Sequence, residues 1–196
     1  MDRKKIIVRI AKPEDAEALL KIYAPYIKQT AITFEYEVPS EEEFRGRIER
    51  ILRKYPYLVA EQDGELIGYA YAGTFNERAA SDRSVETAIY VREDVRKDGV
   101  GRMLYEALES ILSRQHILNL NACIAYAEDD DPYLTKNSVQ FHEHMGYHFV
   151  GRFHKCGYKF GRWYDLVWME KHIGEHTSNP KDVRWFEEII SDDSEE

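Results

Sequence analysis

Val85-Glu86-Thr87-Ala88-Ile89-Tyr90-Val91, followed by Arg96-Lys97-Asp98-Gly99-Val100-Gly101-Arg102-Met103-Leu104, is the stretch on which the fold turns. The first part is β-branched and aromatic and reads as a strand. The second opens a helix whose Val100, Met103, Leu104, Ala107, Leu108, Ile111 and Leu112 share one face. Glycines between strand and helix let the backbone approach a ligand closely. The first N–H groups of such a helix are unpaired and its dipole end is positive. Together they make an anion site suited to a phosphate or pyrophosphate. Arg96 and Lys97 add positive charge, whereas Asp98 opposes it and is expected to point away. A Walker loop is excluded, because Gly101 is followed by Arg102-Met103 rather than Lys-Ser/Thr. A dinucleotide fingerprint is excluded too, because its third glycine position holds Leu104.

Around this unit the pattern alternates. Ile6–Ile10 is β-rich, and Pro13, Glu14 and Asp15 open a helix carrying Ala16, Leu19, Leu20, Ile22 and Tyr23. Thr30–Val38 is extended or loop, and Ser40-Glu41-Glu42-Glu43 is a capping box ahead of Phe44, Ile48 and Ile51. Tyr57–Glu61 and Leu66–Phe75 are strands joined at Asp63-Gly64. Leu118–Tyr126 is a strand and Glu128–Lys136 an acidic loop. Asn137 caps a short helix ending at Gly146. Tyr147–His154 and Tyr164–Lys171 are strands around a Gly157/Gly161 turn region. Hairpins mixed with helices predict one α/β domain with a mixed central sheet flanked by helices, not a doubly wound parallel one.

The chain has 196 residues, 43% hydrophobic and 32% charged, enough for a packed core. Its net charge is −9, but residues 174–196 carry eight acids and two bases and so hold most of it. The expected division is a domain over 1–173 and an acidic tail over 174–196, with a short helix within Pro180–Ile190 and disorder over Ser191–Glu196. The charge argues against nucleic acid as the main partner. No apolar run suits a membrane helix or a secretory leader, so a cytoplasmic protein is expected. Cys123 and Cys156 are too few for a disulfide framework or a four-ligand zinc site and read as reduced, buried residues; no metal is expected.

The strand–R/Q-x-x-G-x-G/A–helix pattern resembles the pyrophosphate loop of the GNAT N-acetyltransferase superfamily. Several segments, in order, resemble the phosphinothricin (methionine sulfoximine) acetyltransferase family: Lys54–Glu61 (KYPYLVAE), Gly68–Gly73 (GYAYAG), Val85–Val91, Phe141–Tyr147 (FHEHMGY) and Gly157–Asp165 (GYKFGRWYD). The resemblance covers roughly Ile7 to Lys171. It implies a GNAT-like domain, acetyl-CoA as co-substrate, direct attack by a primary amine in a ternary complex, and a homodimer.

It also implies site residues. Glu86 matches a family glutamate and would be the general base, since burial moves a carboxylate toward the working pH; the competing reading is an ion pair with Arg78 or Arg83. Ile89, Tyr90 and Val91 would lie along the pantetheine arm, with a backbone N–H stabilising the charge that develops on the thioester oxygen. The Gly99–Met103 backbone, with Arg96, Lys97 and Asp98, would hold the pyrophosphate, and Ser138 would add a cofactor contact. His142 would give a proton to the departing thiolate or orient the substrate. Phe34 and Tyr71 would wall the acceptor pocket, and Arg78 would take an anionic end of the substrate. Asn76 and Ser81 stand where relatives often carry Lys and Tyr, which removes a charge and an aromatic wall. Two alternatives stay open: a transferase for peptide or protein N-termini, which needs an open groove, and a non-catalytic acyl-CoA-binding module.

Overall fold

The computed structural model describes residues 5–95, 99–129 and 131–195. The strands are β1 (Ile6–Ile10), β2 (Tyr57–Gln62), β3 (Glu65–Thr74), β4 (Ser84–Val91), β5 (Asn119–Tyr126), β6 (His148–Lys159) and β7 (Arg162–His172). The helices are α1 (Ala16–Gln29), α2 (Glu41–Leu52), α3 (Val100–Arg114), α4 (Asn137–His144) and α5 (Phe186–Glu195). The sheet has the order β1-β2-β3-β4-β5-β7-β6. Only β4 and β5 run parallel, the other neighbours being antiparallel. This is the expected mixed α/β architecture.

Alternation along the strands builds two cores. Tyr57, Val59 and Tyr69 face α1 and α2, packing on Leu19, Tyr23, Phe44 and Ile48. Leu58, Ala60, Ala70, Ala72 and Val85 face α3, packing on Val100, Leu104, Tyr105 and Leu108. The N-cap half of the box forms at α2, Glu43 N donating to the Ser40 hydroxyl (3.1 Å), while the Glu43 carboxylate accepts from Arg47 (2.6 Å).

Several boundaries differ from expectation. The last two strands run longer, and their turn is Phe160-Gly161, both residues having positive φ; Gly157 lies within β6. A Cβ on Gly157 would lie 2.1 Å from the Phe34 ring, so glycine is required there by close approach. Asn137 is the first residue of α4, and Lys136 is its N-cap. Cys123 is half-buried, but Cys156 is exposed, contrary to expectation, because β6 bulges between Phe153 and Gly157 and turns that segment outward.

The acidic segment also differs. Its helix begins at Phe186 and continues through Glu195, so Ser191–Glu195 is helical rather than disordered; Glu196 lies outside the described residues. Phe186 and Ile189 are each 1% exposed, and the Trp185 ring meets Tyr55 edge-on. Gln115 Nε2 donates to the carbonyls of Lys54 and Arg184 (2.8 Å each), and Phe186 N donates to the Lys54 carbonyl (3.1 Å). Arg83 reaches the Lys181 carbonyl (2.8 Å). Tail, α3 and the residues before β4 are therefore tied together. Phe186→Ala should cost roughly 3–5 kcal/mol, read as a lower urea midpoint. An unchanged midpoint would show that the segment contributes nothing.

Candidate active site

The site starts from a backbone mismatch. Arg92 N donates to the Ile67 carbonyl (2.8 Å), so its main-chain groups face β3. Antiparallel pairing alternates this direction. Tyr90, Ala88 and Glu86, opposite Tyr69, Tyr71 and Gly73, therefore also bond toward β3. Thr87, Ile89 and Val91 turn their amides and carbonyls toward β5. Yet β5 pairs with β4 only from Ser84 opposite Asn119 to Glu86 opposite Asn121. Beyond Glu86 the two strands part, and the N–H and C=O of Ile89 face the gap. The next such residue, Val91, is met by a side chain: the Tyr26 hydroxyl donates to its carbonyl (2.6 Å) and accepts from its amide (3.2 Å).

The gap opens into a cavity of about 130 Å³, bordered by Tyr71, Glu86, Ile89, Tyr90, Cys123, Ser138 and His142 among others. Glu86 is half-buried, and burial raises its carboxyl pKa. Among the described residues no arginine or lysine pairs with it. Arg83 is taken by the tail, and Arg78 is exposed on the loop after β3 and does not border the cavity. Cys123 is pushed up to about 12 by burial and by the nearby Glu86, so it stays a thiol.

His142 is 3% exposed, and burial lowers its pKa to about 4. Its Nδ1 lies 2.8 Å from the Ser138 carbonyl, which only accepts, so Nδ1 carries the proton. Nε2 is then an acceptor, and the Tyr105 hydroxyl donates to it (3.0 Å). In parallel, Thr87 Oγ1 donates to the Asn121 carbonyl (3.3 Å) and accepts from the Tyr147 hydroxyl (3.0 Å). At neutral pH His142 therefore offers no proton to the cavity. The phenol of Tyr105, which also borders it, is the protonated group on that wall.

The helix end beside the cavity has the expected form. Gly99 has φ +85°, and Met103 N donates to its carbonyl (3.0 Å) as the first helical bond. The amides of Val100, Gly101 and Arg102 precede that bond and have no intrahelical acceptor. A Cβ on Gly101 would come 3.0 Å from the Phe141 ring and 3.4 Å from Ile89 Cδ1, so a larger residue would press on both as α3 packs against α4 and β4. Arg96, Lys97 and Asp98 lie outside the described residues. The open strand edge and the amide cradle together suit a long ligand with an anionic middle and a reactive end near Glu86.

A family model described as an acetyltransferase (GNAT) domain matches residues 8–168. The chain belongs to the GNAT acetyltransferase family. It is 32% identical to a phosphinothricin N-acetyltransferase of Streptomyces viridochromogenes over 93% of this chain and 96% of that one. It is 31% identical to an L-methionine sulfoximine/L-methionine sulfone acetyltransferase of Pseudomonas aeruginosa over 88% and 98%. Among solved structures it is similar to a GNAT superfamily phosphinothricin acetyltransferase of Sinorhizobium meliloti in complex with AcCoA, with TM-score 0.81, 30% identity, and coverage of 90% and 93%.

Seen as a GNAT acetyltransferase, the chain brings together Tyr71, Glu86, Ile89, Tyr90, Ser138 and His142 around one cavity. Phe34 lies apart from the cavity wall, its ring against Gly157 of β6. The residues sequence reasoning missed are Tyr26 and Tyr105, which read as apolar-face helical positions; their hydroxyl partners follow only from packing. Nitrogen-resolved NMR of the His142 ring checks the tautomer: a protonated Nδ1 at pH 7 and no titration until about pH 4 are expected. A ring titrating near 6.5 would contradict it.

Glu86 gives a further check. Its raised pKa means its contribution to stability is full below the unfolded carboxyl value and is lost as pH rises through the folded one. Glu86→Gln should therefore raise the melting temperature at pH 7 but not near pH 4. An equal change at both values would show that the carboxylate is not desolvated.

Proposed function

We propose that the chain moves the acetyl group of acetyl-CoA to the primary amine of a small amino-acid-like substrate. The observation that carries this is the unpaired β4 edge at Ile89, between the amide cradle of α3 and the half-buried Glu86 carboxylate. Names of relatives acting on phosphinothricin, methionine sulfoximine and methionine sulfone support the substrate class.

Acetyl-CoA supplies the activated thioester. The amides of Val100, Gly101 and Arg102 hold its diphosphate, with Arg96 and Lys97 adding charge, and Ser138 lies along its path. Glu86 takes a proton from the ammonium, through a water, so that the amine nitrogen has a free pair. The Ile89 N–H donates to the oxygen that gains negative charge as the nitrogen attacks. As the C–S bond breaks, the Tyr105 hydroxyl turns its single proton from His142 Nε2 to the sulfur and is reprotonated from water; His142 is thus a positioning residue.

The loop between α1 and α2 is fastened beside the site, which supports a small amine over a peptide. Lys159 Nζ donates to the Thr33 carbonyl (2.7 Å), and the Tyr36 hydroxyl donates to the Tyr158 carbonyl. These bonds, with Phe34 on Gly157, fasten the loop between α1 and α2 to the β6–β7 hairpin. The catalytic unit is residues 1–173, with 174–196 a docked extension. Phe149, Phe153 and Trp163, each about 60% exposed on β6 and β7, suit burial against a second copy in a homodimer. A cytoplasmic location fits two unpaired thiols.

Glu86→Gln should lower kcat about 100-fold or more and leave CoA affinity unchanged, measured by thiol release and calorimetry. The wild-type rate should rise with pH through the raised Glu86 pKa, and the variant should lose that limb. Unchanged turnover would remove Glu86 as the base.

A further inference from the structure

The chain after β7 lies outside the family match, which ends at residue 168, yet it is fastened to the ends of four elements. Ile173 N donates to the Leu118 carbonyl (2.9 Å). A Cβ on Gly174 would lie 2.6 Å from Leu118 Cδ2, so the chain leaves β7 tight against the start of β5. His176 Nε2 lies 2.8 Å from Asn119 Oδ1. Arg83, immediately before β4, donates to the Lys181 carbonyl through Nε (3.2 Å) and Nη2 (2.8 Å). His116 Nδ1, just past α3, donates to the Asp182 carbonyl (2.6 Å). Trp185 then meets Tyr55 ahead of β2, and Lys54 Nζ lies 5.0 Å over its ring.

The centre of this fastening is Gln115, the C-cap of α3, which is wholly buried. Its main-chain carbonyl accepts from Arg184 N (3.0 Å), and its Nε2 donates to the Arg184 and Lys54 carbonyls (2.8 Å each). Both carbonyls only accept, so the side-chain amide cannot turn over. Its Oε1 is left, among the described residues, as the buried side-chain polar atom without a partner. Folded proteins rarely keep such an atom without a reason. The reason lies in what the two N–H groups join: the end of α3, the chain before β2 and the tail.

What is joined bears on the site. α3 has 15 residues and is about 22 Å long, and its other end presents the free amides of Val100, Gly101 and Arg102. A helix moves as a unit, so tilting its C-terminus displaces those amides, and hydrogen bonds weaken steeply as geometry degrades. β4 and β5 share only three residue pairs, the last at Glu86. The Arg83 carbonyl joins the two strands just before them, accepting from Leu118 N (2.9 Å) and Asn119 N (3.1 Å). The tail holds both sides of that junction, through Arg83 and Asn119. It therefore grips the closed end of the fork and the far end of the cradle helix together.

We infer that residues 173–189 are a clasp that sets the amide cradle of α3 against the open β4 edge, with Gln115 and Arg83 as positioning residues, so that tail docking governs how tightly acetyl-CoA is held. The inference rests on the acetyl-transfer reading and gives the tail a role beyond the stability of the fold.

The test uses the full chain, with acetyl-CoA binding followed by calorimetry well below the melting transition. Gln115→Leu removes the two N–H groups together with the unpartnered oxygen. Arg83→Ala releases Lys181, and Arg83→Lys keeps a cation there. Ile48→Val, in the core under α1 and α2, lowers the melting temperature without touching the clasp. Acetyl-CoA affinity should weaken about 5- to 10-fold in Gln115→Leu and Arg83→Ala, and stay within about twofold of wild type in Arg83→Lys and Ile48→Val. Unchanged affinity in Arg83→Ala, equal weakening in Ile48→Val, or no recovery in Arg83→Lys would overturn the inference. Should Gln115→Leu not fold, the two Arg83 variants decide. A wild type that binds acetyl-CoA but releases thiol to no amine would sink the acetyl-transfer reading alone, and the affinities would still decide on the clasp. A wild type that binds no acetyl-CoA overturns the clasp as well.

Discussion

The structure depends on one unmade set of backbone bonds. β4 is paired along one edge by β3 but along the other by β5 only as far as Glu86. A sheet interior does not ordinarily leave main-chain groups unpaired, because a buried amide or carbonyl without a partner is costly. Here the separation is held by side chains: Asn121 Nδ2 donates to the Val85 carbonyl (3.1 Å), and Thr87 ties β4 to Asn121 and Tyr147. At the far end the Tyr26 hydroxyl substitutes for a strand at Val91. Ile89 is left between these two fixtures as an open edge.

Everything with chemical capacity is arranged around that edge. Its parity sends Glu86, Ala88 and Tyr90 to one face and Thr87, Ile89 and Val91 to the other. The carboxylate therefore faces the acceptor side, while the His142–Tyr105 pair stands on the wall below. α3 begins beside the same edge, seated closely by Gly101, so its free amides lie in line with the gap. The acidic C-terminal segment bears on the same place from behind: Arg83, which holds the Lys181 carbonyl, is one residue before β4 and accepts the amides of Leu118 and Asn119 just before and at the start of β5.

The sequence made most of this readable where one residue type has one use. Strand alternation, the Ser40 cap and the glycines ahead of α3 each fix local geometry, and the structure follows them. The tyrosines were harder. Tyr26, Tyr57, Tyr69 and Tyr105 occupy apolar positions in their elements, and the pattern places only the ring; where each hydroxyl points depends on neighbours far away in sequence. His142 was identified by position, but its tautomer depends on the Ser138 carbonyl one turn back. The tail misled because Glu175, Asp182, Glu187, Glu188 and Asp192 face solvent, whereas Phe186 and Ile189 are buried and dock beside Trp185. Cys156 was misplaced because a bulge, invisible to alternation, turns it outward.

The most direct measurement is a crystal structure with acetyl-CoA bound. The account predicts the diphosphate within hydrogen-bonding distance of the Val100, Gly101 and Arg102 amides, and the thioester oxygen on the Ile89 amide with Glu86 facing the acetyl carbon. A nucleotide seated elsewhere, or a gap closed by β4 pairing with β5 beyond Glu86, would contradict it.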